Sequence, residues 1–77
     1  MIKLYTKPGC VQCRATERAF EKHGLSYDTI DVSEGTPEAL GALRHLQEEG
    51  YLTVPVVETG TDAWSGYRPD RIKALAG

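Results

Sequence analysis

Apolar and polar residues alternate at the start of the chain and then change to a helical spacing. The β-forming run Ile2 to Thr6 ends at Pro8-Gly9, which predicts a short strand followed by a loop. From Val11 to His23, apolar residues recur every three or four positions among charged ones, which predicts an amphipathic helix that ends at Gly24. The apolar positions of this helix are Ala15, Ala19 and Phe20. A second strand is predicted from Tyr27 to Val32, and the order strand, helix, strand predicts a right-handed parallel unit.

A second helix is predicted to begin at Pro37. Thr36 offers an N-cap oxygen, proline fits the first helical position, and Glu38 complements the positive end of the helix dipole. Gly50 is the expected stop. We expect the buried stripe of this helix to consist of Leu40, Leu43 and Leu46.

The last third of the chain predicts a hairpin and a third helix. Val54 to Glu58 and Asp62 to Trp64 have strand composition, and Thr59 to Thr61 has the length and the glycine of a hairpin turn. A helix should follow from Pro69, and its inward residues would be Ile72 and Leu75. The whole order predicts one α/β domain over residues 1–77, with a four-stranded mixed sheet flanked by three helices.

Composition narrows the classes of function. The 77 residues are 40% hydrophobic and 26% charged, and no run approaches the roughly 20 apolar residues that a membrane span needs. The formal net charge of −2 offers no basic surface for a nucleic-acid backbone. Because the first residues form a strand pattern instead of a signal peptide, we expect a cytoplasmic protein. We also expect it to be a monomer.

The two cysteines, Cys10 and Cys13, stand where the first helix begins. Unpaired N–H groups and the partial positive charge at a helix start favour a thiolate, and Lys7 adds a positive charge nearby. We therefore predict that Cys10, with a pKa lowered toward about 7, is the attacking thiol. Cys13 lies on the same face within one turn, so it is predicted to be the resolving thiol that closes a redox-active disulfide with Cys10. No bound cofactor is expected.

A cysteine pair at this spacing also occurs in structural zinc sites, which require further ligands. The other soft ligands are His23 and His45, which are 22 positions apart and stand alone in two different helices. We expect these histidines to be surface or capping residues. The redox interpretation is favoured because a CxxC motif beside a βαβ pattern is typical of disulfide oxidoreductases.

Val54-Pro55 opens the third predicted strand, opposite the cysteines. A cis bond here would expose the N–H and C=O of Val54, which could pair with the backbone of a bound target. The alternative is an ordinary trans proline in an edge strand.

Two separated segments resemble a known family. Lys7-Pro8-Gly9-Cys10-Val11-Gln12-Cys13 and Thr53-Val54-Pro55 are similar to the glutaredoxin branch of the thioredoxin superfamily, and Cys10 to Cys13 together with Trp64 to Asp70 resembles the NrdH-redoxins. The resemblance implies a thioredoxin/glutaredoxin-like fold and a cis-proline at position 55. It also implies electron delivery to the large subunit of class Ib ribonucleotide reductase, with thioredoxin reductase and NADPH restoring the dithiol. Expected partner contacts are Lys7, Val11, Gln12, Val54, Pro55, Trp64, Ser65, Gly66, Tyr67 and Arg68.

Departures from ordinary glutaredoxins bear on glutathione. Those proteins usually have a tyrosine within the CxxC motif and a Gly-Gly turn followed by aspartate, where this chain has Val11-Gln12 and Ser65-Gly66-Tyr67-Arg68. The bulk of Tyr67 should prevent the close backbone approach that glycines permit. We expect Trp64 to Arg68 to form a contact rim for proteins instead, although Trp64 as a core residue and Arg68 as a solvated charge remain open. A glutathione-dependent glutaredoxin acting through Cys10, and a non-catalytic zinc-binding module, are the alternative functions.

Overall fold

Four strands and three helices occur in the predicted order in the computed structural model, which describes all residues, 1–77. The elements are β1 (Ile2–Thr6), α1 (Val11–Lys22), β2 (Tyr27–Asp31), α2 (Pro37–Glu48), β3 (Val56–Glu58), β4 (Ala63–Ser65) and α3 (Pro69–Leu75). The predicted N-cap is also present, because the Thr36 hydroxyl accepts a hydrogen bond from the Ala39 N–H at 3.1 Å. No helix is long and apolar enough to cross a membrane.

The sheet is mixed and has the strand order β2-β1-β3-β4. The central strand β1 is parallel to β2 and antiparallel to β3, and β4 pairs antiparallel with β3. The loop that carries the cysteines leaves the carboxyl end of β1 and enters α1 directly. This topology places the start of α1 beside the start of β3.

Each face of the sheet has its own apolar core, because neighbouring residues of a strand point to opposite faces. One core consists of Leu4, Phe20, Val57, Trp64 and Ile72, which join the sheet to α1 and α3. The other consists of Tyr5, Val32, Leu46 and Val56, which join the sheet to α2. The predicted inward position of Ile72 is confirmed, since its side chain is fully buried.

The buried face of α2 differs from the prediction. Leu46 is buried, but Leu40 is 56% exposed and Leu43 also lies on the exposed side. Ala39 is buried instead, and Ala42 is half-buried against the α2 core. The helix is therefore rotated so that Ala39, Ala42 and Leu46 face the sheet, while Leu40 and Leu43 face outward.

Four strand boundaries also differ. β2 ends one residue earlier than predicted, at Asp31, and β4 ends one residue later, at Ser65. β3 begins at Val56, two residues later than predicted, because Pro55 has no N–H to donate to a strand ladder. β4 begins one residue later, at Ala63, because the carbonyl of Asp62 is used in the turn, where it accepts from the Thr59 N–H at 2.8 Å.

His45 lies at the surface, as predicted, with 44% of its side chain exposed, but it also has a partner on the sheet. Its Nε2 pairs with Glu58 Oε2 at 2.5 Å, and the Tyr5 hydroxyl donates to Glu58 Oε1 at 2.7 Å. Burial alone would raise the pKa of Glu58, but hydrogen bonds from Tyr5 and His45, together with the charges of His45 and Lys3, outweigh it and hold that pKa below its usual range. Burial, the hydrogen bond to Glu58 and its charge raise the pKa of Tyr5 well above its ordinary value.

The lowered pKa of Glu58 predicts a contribution to stability that depends on pH. Its carboxylate stabilises the fold above its unfolded pKa, near 4.5, and this stabilisation is lost as the pH falls through the lower folded value. We expect Glu58→Gln to lower the free energy of unfolding by about 1 kcal/mol at pH 7, because two charge-assisted hydrogen bonds become neutral ones. Urea unfolding of both proteins from pH 7 to pH 3 should show the difference narrowing below pH 4.5. A difference that stays constant over this range would contradict the assignment.

Candidate redox site

Cys10 is the N-cap residue of α1. Its backbone is extended, with φ −88° and ψ 107°, and its Sγ accepts a hydrogen bond from the Cys13 N–H at 3.1 Å. The Arg14 N–H donates to the Cys10 carbonyl at 3.2 Å. Gly9, with φ +75°, supplies the turn that brings the chain from β1 into this position. The helix start therefore directs a backbone N–H at the sulfur of Cys10, as an N-cap oxygen would be held.

Cys10 and Cys13 form a disulfide, as predicted, with their Cα atoms 5.2 Å apart. The two residues differ in accessibility, since Cys10 is half-buried and Cys13 is 1% exposed. Cys10 is therefore the more accessible of the two to a thiolate of another protein. This asymmetry supports the predicted division into an attacking and a resolving thiol.

The Val54-Pro55 peptide bond is cis, which confirms the interpretation favoured by the resemblance. The Val54 carbonyl oxygen lies 3.9 Å from Cys10 Sγ, and Pro55 is buried. The Pro55 carbonyl accepts from the Gly66 N–H at 2.8 Å, which ties the loop between β4 and α3 to the proline. Two segments that are distant in sequence thus meet at the reactive sulfur.

The predicted rim from Trp64 to Arg68 divides into a buried and an exposed part. Trp64 is 4% exposed and belongs to the core with Phe20, so the open alternative of a core residue is correct and Trp64 is no surface contact. Ser65 and Arg68 are exposed, and Tyr67 is 40% exposed. Arg68 Nε lies 3.6 Å from Asp70 Oδ1.

Gln12 links this rim to the CxxC motif. Its side-chain oxygen accepts from the Tyr67 N–H at 3.4 Å, and Gly66, with φ +84°, turns the chain there. A Cβ at position 66 would lie 3.7 Å from that same oxygen. Gln12, one of the two residues between the cysteines, therefore contacts the loop that contains Gly66 and Tyr67. This contact joins segments that are far apart in the sequence, so no local pattern predicts it.

Lys7 and Val11 lie at the outer side of the site. Both are exposed, and the side chain of Val11 is an apolar group that is 80% exposed next to Cys10. Lys7 borders a polar groove of about 420 Å³ that also contains Cys10, Cys13 and Asp31. Of the predicted site residues, Cys10 and Cys13 form the disulfide, Val54 and Pro55 lie beside Cys10, and Gln12 contacts the loop after β4.

Thr16, on the buried face of α1, was not predicted as a site residue, but it contacts the CxxC motif. Its side chain is fully buried, and its hydroxyl donates to the Gln12 carbonyl at 2.8 Å. The signal was available, since Thr16 lies three residues after Cys13 and four before Phe20, on the inward face of α1.

The histidines do not gather around the cysteines. His23 is exposed and caps the end of α1, where its N–H donates to the Ala19 carbonyl at 3.1 Å, and His45 pairs with Glu58. No group of three or more histidine, cysteine, aspartate or glutamate residues is arranged to hold a metal ion.

Comparisons with known proteins agree with this geometry. The glutaredoxin family model matches residues 2–64. The glutaredoxin-like protein NrdH of Escherichia coli K12 is 46% identical over 74 residues, which cover 96% of this chain and 86% of that protein. The NrdH protein of Lactococcus lactis IL1403 is 30% identical over 76 residues, covering 99% of this chain and all of that protein.

Solved structures give the same result. The NrdH-redoxin of E. coli, described as having a thioredoxin-like activity profile, superposes with a TM-score of 0.81 at 46% identity and covers 96% of this chain and 92% of that one. A buckwheat glutaredoxin in complex with glutathione has a TM-score of 0.73 at 27% identity, covering 96% of this chain and 67% of that one.

Proposed function

Because this chain belongs to the glutaredoxin family and, within it, to the NrdH redoxins, we propose that it carries electrons from thioredoxin reductase to class Ib ribonucleotide reductase. Cys10 and Cys13 reduce a disulfide in the large subunit of this target enzyme. NADPH, through thioredoxin reductase, restores the dithiol after each turnover. The chain acts as one domain, as a monomer and in the cytoplasm.

The reaction proceeds in two exchanges at sulfur. The Cys10 thiolate attacks one sulfur of the target disulfide, so a mixed disulfide forms and the other target sulfur leaves as a thiolate. The Cys13 thiolate then attacks Cys10 Sγ and releases the second target sulfur. Each departing target thiolate takes up a proton, and Cys10 and Cys13 each release one when they ionise. The target therefore gains two electrons and two protons, and the chain is left with the Cys10-Cys13 disulfide.

One observation carries this proposal: the accessible sulfur, that of Cys10, lies 3.9 Å from the carbonyl oxygen of Val54, while Cys13 is buried behind it. A target strand that pairs with the backbone of Val54 would hold its own cysteine against Cys10. Lys7 and Val11 border this sulfur and would contact the same target. Burial keeps Cys13 away from other thiols until the mixed disulfide has formed.

The rim supports a protein partner over glutathione. Tyr67 occupies the turn where ordinary glutaredoxins have small residues, and Gln12 fixes that turn through the Tyr67 N–H. Exposed aromatic and guanidinium groups, here Tyr67 and Arg68, are enriched at protein contacts. The glutathione-dependent function is kept as the competing candidate because the buckwheat relative was solved in complex with glutathione.

We expect rapid NADPH oxidation when the oxidised chain is mixed with thioredoxin reductase and a protein disulfide. With glutathione, glutathione reductase and NADPH at matched concentrations, we expect turnover to be at least about tenfold slower, because a tenfold ratio requires only about 1.4 kcal/mol of lost binding. The rates are followed by the absorbance of NADPH, with the Cys10→Ser variant as the blank.

The reverse ranking of the two reductases would replace this proposal with a glutathione-dependent glutaredoxin. Activity in neither system, together with stoichiometric zinc in reduced protein, would favour the zinc-binding module instead. The preferred target is tested in the same assay by replacing the model disulfide with oxidised class Ib ribonucleotide reductase.

A further inference from the structure

A second groove, of about 340 Å³, lies between α1 and the start of α3. We call it the α1/α3 groove. One side is formed by Arg18, Lys22 and His23, of which Arg18 and Lys22 carry positive charges, and the other side is formed by Tyr67 and Pro69. Its floor contains only alanine side chains from α1, and no carboxylate lines it.

The two cations of this groove, Arg18 and Lys22, form no ion pair within the chain. The ion pairs of the protein join His45 to Glu58, Arg68 to Asp70 and Arg71 to Asp62, and none includes Arg18 or Lys22. Glu17 and Glu21 lie next to Arg18 but outside the groove, and Glu21 accepts a hydrogen bond from the Tyr27 hydroxyl at 3.0 Å. On a chain of net charge −2, the groove is therefore a local cationic surface.

The groove is linked to the redox site through the loop that carries Tyr67. Tyr67 forms one of its walls, and the Tyr67 N–H donates to Gln12, which lies between the two cysteines. A protein that brings a sulfur to Cys10 would therefore extend along the groove. The groove is an open trough, and its cations are on long side chains at the surface, which suits a segment of polypeptide better than a small anion that needs converging donors.

The spacing of the charges indicates the form of that segment. Arg18 and Lys22 are one helical turn apart, which corresponds to about 6 Å along the helix axis. Alternate residues of an extended chain are about 6.6 Å apart and point to the same side. Two carboxylates at alternate positions would match the two cations, and the residues beside them would rest on the alanine floor and on Tyr67.

We propose that the α1/α3 groove binds an extended acidic segment, with carboxylates at alternate positions, of the redox partner protein that reacts with Cys10. This inference rests on the proposed function only in that the partner is a protein with reactive cysteines. The groove increases affinity and orients the partner, and it takes no part in the exchange between sulfurs.

The direct test uses nuclear magnetic resonance of the isotopically labelled oxidised chain. The probe is a blocked synthetic peptide with aspartates at alternate positions, and its matched control has asparagines. We expect the acidic peptide to shift the amide resonances of residues 15–23 and of Tyr67.

The double variant Arg18→Gln/Lys22→Gln should bind this peptide about fivefold to tenfold more weakly, since exposed ion pairs contribute modestly. The control Arg44→Gln/Lys73→Gln also removes one arginine and one lysine, both exposed and outside the groove, and should leave binding unchanged.

Equal weakening in the two double variants would overturn the proposal, because it would show attraction by overall charge alone. Equal binding of the asparagine peptide would overturn it as well. If inorganic phosphate shifts the same amides with the same affinity, the groove is a small-anion site instead. Normal turnover with thioredoxin reductase but no peptide binding would refute the groove alone. Peptide binding without turnover in either reductase system would refute the proposed function alone.

Discussion

Replacing Cys13 with serine is expected to abolish multiple-turnover reduction of protein disulfides, while the variant still captures its target through Cys10. Capture needs only the accessible sulfur beside Val54, whereas release needs the buried Cys13 to attack it from within the same helix. Well-oriented intramolecular reactions reach effective molarities of about 10⁵ M or more, so millimolar external thiols cannot replace Cys13. We expect the steady-state rate with thioredoxin reductase to fall at least about a thousandfold. Non-reducing electrophoresis and mass spectrometry detect the trapped adduct, and the absorbance of NADPH gives the steady-state rate.

Cys10→Ser is the matched control, since it removes the other sulfur of the same pair. It should lose capture as well as turnover, because Cys13 is 1% exposed and cannot be reached by a protein disulfide. Thermal melting of both variants, compared with the reduced parent protein, separates loss of chemistry from loss of fold. Sustained turnover by Cys13→Ser would contradict the mechanism with two thiols and point to one in which Cys10 acts with an external thiol.

The centre of the redox site was predictable because its determinants are local. The start of α1 follows from Pro8-Gly9 and the helical spacing after it, and a helix start fixes both the position of Cys10 and the side on which Cys13 lies. The surroundings of Cys10 and Cys13 depend on contacts between residues that are far apart in the sequence. Neither the contact of Gln12 with Tyr67 nor the burial of Trp64 follows from a local pattern.

The contact between His45 and Glu58 shows the same limit. The sequence predicts His45 as a surface or capping residue and does not indicate a partner for it. Its partner, Glu58, is on β3, and Tyr5 on β1 completes the contact. Only the packing of α2 on the sheet brings these three residues together. A sequence pattern fixes which face of a helix is apolar, but it does not fix the rotation of a helix whose apolar residues cover more than one face.

The rotation of α2 can be tested with two leucines on that helix. Leu46 is 3% exposed and packs against Tyr5, Val32 and Val56, whereas Leu40 is 56% exposed. We expect Leu46→Ala to lower the free energy of unfolding by about 2 to 5 kcal/mol, because it removes buried methyl groups and leaves a cavity. That is a large part of the roughly 5 to 10 kcal/mol that a domain of this size has, and it corresponds to a fall in melting temperature of about 10 °C or more.

Leu40→Ala is the matched control because it makes the same chemical change on the same helix. Its effect should stay within about 0.5 kcal/mol, since the side chain is mostly in water and alanine favours the helix. Urea unfolding of the two variants under reducing conditions gives the comparison without a contribution from the disulfide. If both variants lost the same stability, α2 would present the stripe of Leu40, Leu43 and Leu46 to the sheet, and His45 would be turned away from Glu58. A large loss for Leu46→Ala alone requires the orientation in which Ala39, Ala42 and Leu46 face inward, and that orientation is the one that lets His45 reach β3.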